Sequence, residues 1–328
     1  MKYVVTGATG FIGKKLCSVL IGYGHEVVTM QRSESGLASV IENHKIDLLT
    51  NTSQFPSMTG VDVVFHLAGI AHKQVSSEDY YQVNCVGTLG IARHAAQQGV
   101  KHFVFLSSTK AMGCKIDCKT RSESDLGNTD NDAYGDSKRR AEKALKLLAV
   151  GTSMSITTIR TPLVFGGGVK GNMQALLKAI LKGMPRPASA GGSSMVSLPD
   201  LVDGMLVLGE QWGLDYRCFI LCDNESYTTQ RIFDAVIVGS GKVPSSLSVP
   251  LVLCRIACWL RDMFFLKGGT NGGESTYEKL FEHSLFSSAA IQRKTSWQPV
   301  ETLESMMPEI IESLSDDIIC DSGGNLEL

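Results

Sequence analysis

Thr6-Gly7-Ala8-Thr9-Gly10-Phe11-Ile12-Gly13 follows an apolar run, Tyr3-Val4-Val5, and opens a segment in which Phe11, Ile12, Leu16, Val19 and Leu20 recur at helical spacing. A glycine-rich turn between a strand and a helix is the setting in which glycines mean dinucleotide binding. Gly7 permits the tight turn, Gly10 lets backbone approach a pyrophosphate, and Gly13 lets helix and strand pack closely. The helix N-terminus then offers free N–H groups and a partial positive charge to the phosphates. The spacing is G-x-x-G-x-x-G, and taken alone it also fits a glycine-rich turn in any α/β protein.

Working outward, strand and helix patterns alternate through the first half. Glu26–Met30 reads as a second strand, Ile46-Asp47-Leu48-Leu49 as a third, Val61–Leu67 as a fourth and His102–Leu106 as a fifth. A helix is expected over about 77–98 and another over 133–149, and Ile156–Arg160 reads as a sixth strand that Pro162 ends. Repeated β-α units of this kind predict an α/β fold, a Rossmann-type doubly wound parallel sheet. After Phe165 the rhythm changes to glycine-punctuated loops, helices and short strands, a smaller mixed C-terminal lobe. The expected division is a dinucleotide-binding domain over 1–165, regaining short segments from 190–225, a mainly substrate-binding lobe over 166–315, and a flexible tail over 316–328.

The chain has 328 residues, enough for a substantial core, with 31 basic and 33 acidic residues and a net charge of −2. That balance gives no sign of a nucleic-acid surface. Nine scattered cysteines form no recognisable Cys/His zinc pattern and read as reduced thiols of a cytoplasmic protein, with no metal expected. The N-terminus runs straight into a strand, so no signal peptide is expected. Val249–Leu266 is apolar but cut by Arg255, Arg261 and Asp262, too short and charged to span a bilayer. It reads as a buried or half-buried helix, with peripheral membrane contact through Trp259, Phe264 and Phe265 left open.

Two further stretches carry chemistry. Tyr134-Gly135-Asp136-Ser137-Lys138 places a phenol and an ammonium four residues apart, on one face of a helix. An ammonium beside a tyrosine favours the phenolate and is expected to lower its pKa toward the range useful in acid–base catalysis. Leu106-Ser107-Ser108-Thr109 sits just beyond the fifth strand, where open α/β sheets bind ligands. Each pattern is common by chance; the three together in this order are far more specific.

With these motifs the chain resembles the extended short-chain dehydrogenase/reductases of the NAD-dependent epimerase/dehydratase family, from about residue 2 to about 315. The resemblance also rests on Asp47, His66-Leu67-Ala68-Gly69, Asn84-Cys85-Val86-Gly87-Thr88 and Arg160–Gly166. It implies that Tyr134 is the catalytic acid/base, that Lys138 binds the nicotinamide ribose and tunes Tyr134, and that Ser108, favoured over Ser107 or Thr109, holds the reacting oxygen. It implies further that Gly7, Gly10, Phe11, Ile12 and Gly13 cradle the cofactor. Asp47 with Leu48 would contact the adenine, and Leu67, Ala68 and Gly69 would line the phosphate and ribose path. Asn84 would organise the site, while Thr109 and Asn172 would face a nucleotide-sugar substrate. Within the family the chain looks most like the sugar-nucleotide 4-ketoreductases of bacterial surface-polysaccharide synthesis, the UDP-N-acetylquinovosamine 4-reductase type. The stretches behind that likeness are Val164–Asn172, Leu198–Asp203 and Ser296-Trp297-Gln298-Pro299.

The chain departs from the family pattern in places. Gln31, followed by Arg32, stands where many members carry an acid for the adenosine ribose, which favours NADP(H) while leaving NAD(H) open. Met112 replaces the usual tyrosine of the serine motif. The family's arginine that grips a substrate diphosphate is replaced at Ser193 or a neighbour, which either counts against a nucleotide-diphosphate substrate or moves the cation elsewhere, to Lys170 or Arg186. The leading expectation is reduction of a 4-keto sugar nucleotide. A 4-epimerase with the same residues is the alternative, and a non-catalytic cofactor-binding sensor a further one. A dehydratase is disfavoured because Thr109 and Lys110 stand where that chemistry needs carboxylates. A homodimer through helices 77–98 and 133–149 is expected by analogy.

Overall fold

β1 (Lys2–Thr6) leads through the glycine turn into α1 (Phe11–Gly22) and back to β2 (Glu26–Gln31), the first β-α-β unit. The computed structural model describes residues 1–32, 40–50, 55–71, 75–114, 119–130, 132–211, 213, 215–265, 275–281 and 283–322. The chain continues through β3 (Glu42–Lys45), β4 (Val63–His66), α2 (Ser77–Tyr81), a π-helical turn (Gln82–Gly87) and α3 (Thr88–Gln97). β5 (His102–Ser108), a 3₁₀ turn (Thr109–Met112), α4 (Ala133–Val150) and β6 (Ser155–Thr161) follow. The second half comprises β7 (Leu163–Phe165), α5 (Gly171–Leu181), β8 (Gly192–Ser193), β9 (Met195–Ser197), α6 (Leu198–Glu210) and β10 (Tyr216–Ile220). It ends with α7 (Thr229–Gly239), α8 (Leu251–Phe265), α9 (Thr276–Phe281), β11 (His283–Ser284), α10 (Ala289–Lys294) and α11 (Leu303–Ser322).

Seven strands form one sheet in the order β10-β6-β5-β4-β1-β2-β3, every neighbour parallel. The order reverses between β1 and β4, the switch point at which such sheets bind ligands. β4 and β5 are buried along almost their whole length, as strands covered on both faces must be. Leu16, Leu20, Phe65, Leu201 and Met205 build the core on the α1/α6 side. Val64, Ile91, Phe103, Phe105 and Leu145 build it on the α3/α4 side. A third cluster, including Phe165, Met173, Tyr227, Phe233 and Ile310, fills the second lobe, and Phe11 packs against both it and the first.

Several expectations need correction. The third strand is Glu42–Lys45, not 46–49; it is a polar, largely exposed edge strand, so no apolar pattern marks it. Ile46 and Leu48 are buried just after it, and Asp47 is an exposed turn residue whose carboxylate accepts from the Leu49 N–H at 3.0 Å. The helical path over 77–97 is interrupted by the π turn. Helix α11 continues through the start of the expected tail to Ser322, and residues 323–328 lie outside the described ones.

The helix over 251–265 is neither buried nor half-buried: among its described side chains only Cys258 is buried. The side chains of Phe264 and Phe265 lie outside the described residues. Among the described residues no helix is long and apolar enough to cross a membrane.

Candidate active site

The glycine turn holds its shape by close contact. Gly7 has φ +70°, and a Cβ there would stand 2.8 Å from Ala68 N, so the turn after β1 presses on the one after β4. A Cβ on Gly13 would meet Gly7 O at 2.3 Å, which makes glycine obligatory where α1 packs on the turn. Gly10 caps α1 with no side-chain bond, and no acidic residue occupies the first turn. The helix therefore presents uncapped N–H donors, which suit a pyrophosphate.

A hydrogen-bond chain running across the sheet fixes the floor of this cradle. Leu67 and Ala68 N–H both donate to Thr6 Oγ1 at 3.1 Å. Thr6 Oγ1 lies 2.8 Å from His66 Nδ1, and His66 Nε2 lies 2.9 Å from Thr88 Oγ1. Thr88 donates its own proton to Asn84 O at 2.8 Å, so it accepts from Nε2–H, and Nδ1 accepts from Thr6. His66 is thus a neutral Nε2–H tautomer, stacked against the rings of Phe103 and Phe105. Burial, with the Lys138 charge second, pushes its pKa down to about 3. Asn84, in the π turn, grips Ile70 through its N–H (2.8 Å) and carbonyl (2.9 Å) and donates to Ser137 at 3.1 Å.

The catalytic candidates meet where α4 docks on the end of β5. Asp132 caps α4 by accepting from Gly135 N at 2.9 Å. A Cβ on Gly135 would strike Lys110 O at 2.5 Å, so the first turn of α4 lies directly on the 3₁₀ turn after Ser108. Arg139 ties the two together by donating to Ala111 O at 2.7 Å and Gly127 O at 2.8 Å. Ser107 and Ser108 then separate cleanly. Ser107 is buried and donates to Glu142 at 2.6 Å, inside an ion pair with Arg160. Ser108 caps the 3₁₀ turn by accepting from Lys110 N at 3.2 Å and hydrogen-bonds the Tyr134 phenol. Tyr80 of α2, absent from the sequence-level candidates, packs its ring 5.9 Å from that of Tyr134.

Lys138 is buried. Its ammonium donates to Leu106 O at 3.0 Å and lies 4.6 Å from the Phe105 ring centre. Burial lowers its pKa to about 8 against the pull of Glu142. A Cβ on Gly69 would sit 2.9 Å from Asn84 Oδ1 and 3.4 Å from Lys138 Nζ, so only glycine lets the backbone pass there. The expected lowering of the Tyr134 pKa is reversed: burial pushes it up to about 12, and only the Ser108 hydrogen bond opposes that. Lys138 is directed at Leu106 and Phe105 instead, so Tyr134 rests as a neutral phenol, a proton donor.

Other candidates scatter. Leu67 and Ala68 border the cradle; Leu48 is buried against Gly87, and Thr109 is buried in the 3₁₀ turn. Phe11 and Ile12 open α1, half-buried, and Asn172 is exposed in the first turn of α5. Arg32 is exposed after β2, whereas Gln31 is buried and its amide nitrogen is spent on Asn43 at 2.9 Å. Arg186 is not a spare cation: both its Nε and Nη2 bind Asp234, at 2.7 and 2.6 Å. Two stretches behind the 4-ketoreductase likeness form one structural lock. Trp297 donates to Asp200 O at 2.9 Å, and the Asp200 carboxylate accepts from Val300 and Glu301 N–H. The third stretch is packed too: a Cβ on Gly167 would stand 2.5 Å from Glu309 Oε1.

The profile described as the NAD dependent epimerase/dehydratase family matches residues 3–230. The chain is 27% identical over 316 residues to a UDP-glucose 4-epimerase of Vibrio cholerae, covering 92% of each chain. It is 25% identical over 265 residues to the N-acetyl-alpha-D-glucosaminyl-diphospho-ditrans,octacis-undecaprenol 4-epimerase of Escherichia coli O157:H7, covering 79% of this chain and 78% of that one. Among solved structures, the NAD complex of Thermus thermophilus UDP-glucose 4-epimerase superposes with a TM-score of 0.72 at 20% identity, covering 96% of this chain and 99% of that one.

Proposed function

The chain belongs to the NAD-dependent epimerase/dehydratase family, and on that footing we propose that it reduces the 4-keto group of a nucleotide-activated sugar. The observation that carries the reading is the meeting of Ser108, Tyr134 and Lys138 beside the glycine cradle. A nicotinamide dinucleotide fits these residues and would supply the hydride. α1 and Gly7–Gly13 would hold its pyrophosphate, and Lys138, with only one backbone bond, has protons left for ribose hydroxyls. Tyr134, resting as the phenol, gives its proton to the sugar oxygen as alkoxide forms. Ser108 donates to the same oxygen and fixes its place. Gln31 and Arg32 present no carboxylate to an adenosine ribose, which supports a dissociable NADPH over NADH.

A second reading, 4-epimerisation, draws support from the UDP-glucose 4-epimerase relative, which is matched over 92% of its length. Tyr134 would then have to give up its resting proton before the cycle, so that as phenolate it could accept and later return the proton of the sugar 4-hydroxyl. A lipid-borne diphosphosugar, like that in the name of the E. coli relative, is a further substrate to assay, because α8 exposes an apolar face.

The nucleotide released on denaturing the purified protein separates the first two. An empty site that takes NADPH more tightly than NADH, with turnover of a 4-keto sugar nucleotide, is expected. Stoichiometric NAD and interconversion of UDP-hexoses would replace the first reading with the second. Tyr134→Phe should abolish turnover by about 10³-fold while leaving cofactor affinity intact; unchanged turnover would remove Tyr134 from the chemistry.

A further inference from the structure

We propose that Arg121 is a positioning residue for the reaction: it fastens the turn that carries Ser108 to the segment between β11 and α10, and so sets where the serine hydroxyl stands. The inference rests on the role proposed for Ser108 and goes one residue deeper into that site.

The bonds come first. The Arg121 guanidinium donates from Nη1 to Gly113 O at 2.6 Å, and from Nη2 to Met112 O at 2.9 Å and Asp125 O at 2.7 Å. Met112 and Gly113 close the 3₁₀ turn that Ser108 opens. Carbonyls at the end of a helical turn need donors from outside it, and a planar fork of N–H groups serves several of them at once. The Arg121 backbone is paired as well: its N–H donates to Leu285 O at 2.9 Å, and its carbonyl accepts from the Ser287 N–H at 2.9 Å. The guanidinium lies 5.7 Å from the Phe286 ring centre, and Phe286 is buried with Met112, Ile220 and Cys222. One residue thus holds the end of the serine turn and residues 285–287 together.

The start of the turn is fixed from the other side. Ser107 is anchored on Glu142, and Ser108 accepts from the Lys110 N–H at 3.2 Å. Arg160 spans the two anchors. Its Nη2 donates to Glu142 at 2.7 Å, and its Nη1 donates at 2.7 Å to the carbonyl of Glu123, two residues beyond Arg121. A turn of four residues pinned at both ends leaves its first hydroxyl little freedom. A misplacement of about 1 Å in a reacting group can cost rate steeply. Arg139 still grips Ala111 from α4, so losing Arg121 shifts the turn without unfolding it.

Hydrogen exchange on the full chain tests the hold without a substrate, and a double-mutant cycle tests its effect. In Arg121→Met the Lys110 amide, which donates to Ser108, and the Gly113 amide should exchange about tenfold faster or more. Exchange in α1 and NAD(P)H affinity should match the parent. Arg121→Lys keeps the charge without the fork and should fall between the two; it also serves if Arg121→Met does not fold. With substrate, Arg121→Met should lower kcat about tenfold and change KM less than about twofold. In a Ser108→Ala background the same substitution should cost less than about twofold, because it acts through that hydroxyl. Unchanged exchange at Lys110 in both Arg121 variants overturns the proposal. So does an equal loss of kcat with and without Ser108, which would make Arg121 a general anchor of the fold. A parent chain that turns over no sugar nucleotide overturns the proposed function and this role with it, and the exchange result separates that failure from a failure of the anchor.

Discussion

His66 Nδ1 lies 2.8 Å from Thr6 Oγ1, a side-chain bond between cross-strand partners that adds to the backbone pairing of β1 with β4. The same threonine oxygen accepts from both Leu67 and Ala68, so the cradle wall depends on a side chain that never faces the ligand. His66→Phe keeps a ring beside Phe103 and Phe105 but removes the imidazole that links the Thr6 and Thr88 hydroxyls. The expected cost is about 2–4 kcal/mol in urea unfolding, with weaker NAD(H) binding. His66→Gln can restore part of the bonding and should recover part of both; equal loss in the two variants would reduce His66 to a space-filling residue.

Acid should destabilise the fold through two buried imidazoles. His102 lies between Gly209 O and Thr157 Oγ1, and burial pushes its pKa down to about 4; that of His66 falls to about 3. A folded pKa below the unfolded value of about 6.5 means that the unfolded chain binds the extra proton first. Stability is full above pH 6.5 and falls toward pH 3–4. At pH 5 each histidine should have removed about 2 kcal/mol. Urea midpoints at pH 7 and pH 5 measure this, and His102→Gln should flatten the difference by its share.

Lys138 carries the opposite lesson, a residue kept at a cost. Its pKa is lowered to about 8, so below pH 8 the folded protein bears a buried ammonium that the unfolded chain would solvate. Stability from this group therefore rises between pH 8 and about 10.5, and Tyr134, raised to about 12, reverses the trend above about 10. Lys138→Met is expected to be at least as stable as the parent at pH 7 and to lose the rise above pH 8. The same variant should bind NADH roughly tenfold or more weakly. A variant that is both unstable and tight-binding would contradict this.

The parts legible in the sequence were those built from contiguous residues. The turn at 6–13 and the pair Tyr134 and Lys138 each declare their geometry within one motif, and the buried strands declare themselves by apolar runs. β3 did not, because an edge strand of Glu42, Asn43, His44 and Lys45 carries no such run. The His66 network couples residues 60 and 22 positions apart, which no local pattern records. Tyr80 belongs to the site only because the helix at 77–81 is laid across α4. For α8, apolar content predicted burial, yet what a helix packs against is decided by the rest of the chain, and here its apolar stripe was left outward. The rise in the Tyr134 pKa was equally out of reach: spacing puts an ammonium nearby, but only the structure shows that it points to Leu106.

The last prediction concerns how Ser108 is aimed. Ser107 and Ser108 end β5 and bond two residues of the same helix, Glu142 and Tyr134 of α4, so anchoring Ser107 holds the strand end that carries Ser108. Glu142 does the fixing. It accepts from Ser107 at 2.6 Å and pairs with Arg160 at 2.7 Å, both side chains less than 10% exposed. Burial opposes the Arg160 charge, but Glu142 more than offsets it and holds the guanidinium above its ordinary pKa. Glu142→Gln keeps the shape but leaves a buried cation unbalanced, at an expected cost of about 3–5 kcal/mol. Removing both charges in Glu142→Gln/Arg160→Met should return most of that stability, since apolar replacement of a whole buried pair is often neutral. Turnover should not return with it, because Glu142 also sits one helical turn beyond Lys138 and supports its charge. Thermal unfolding and turnover measured on the same two variants decide the matter. If activity followed stability in both, the pair would be a purely structural clamp with no hold on Ser108 or Lys138.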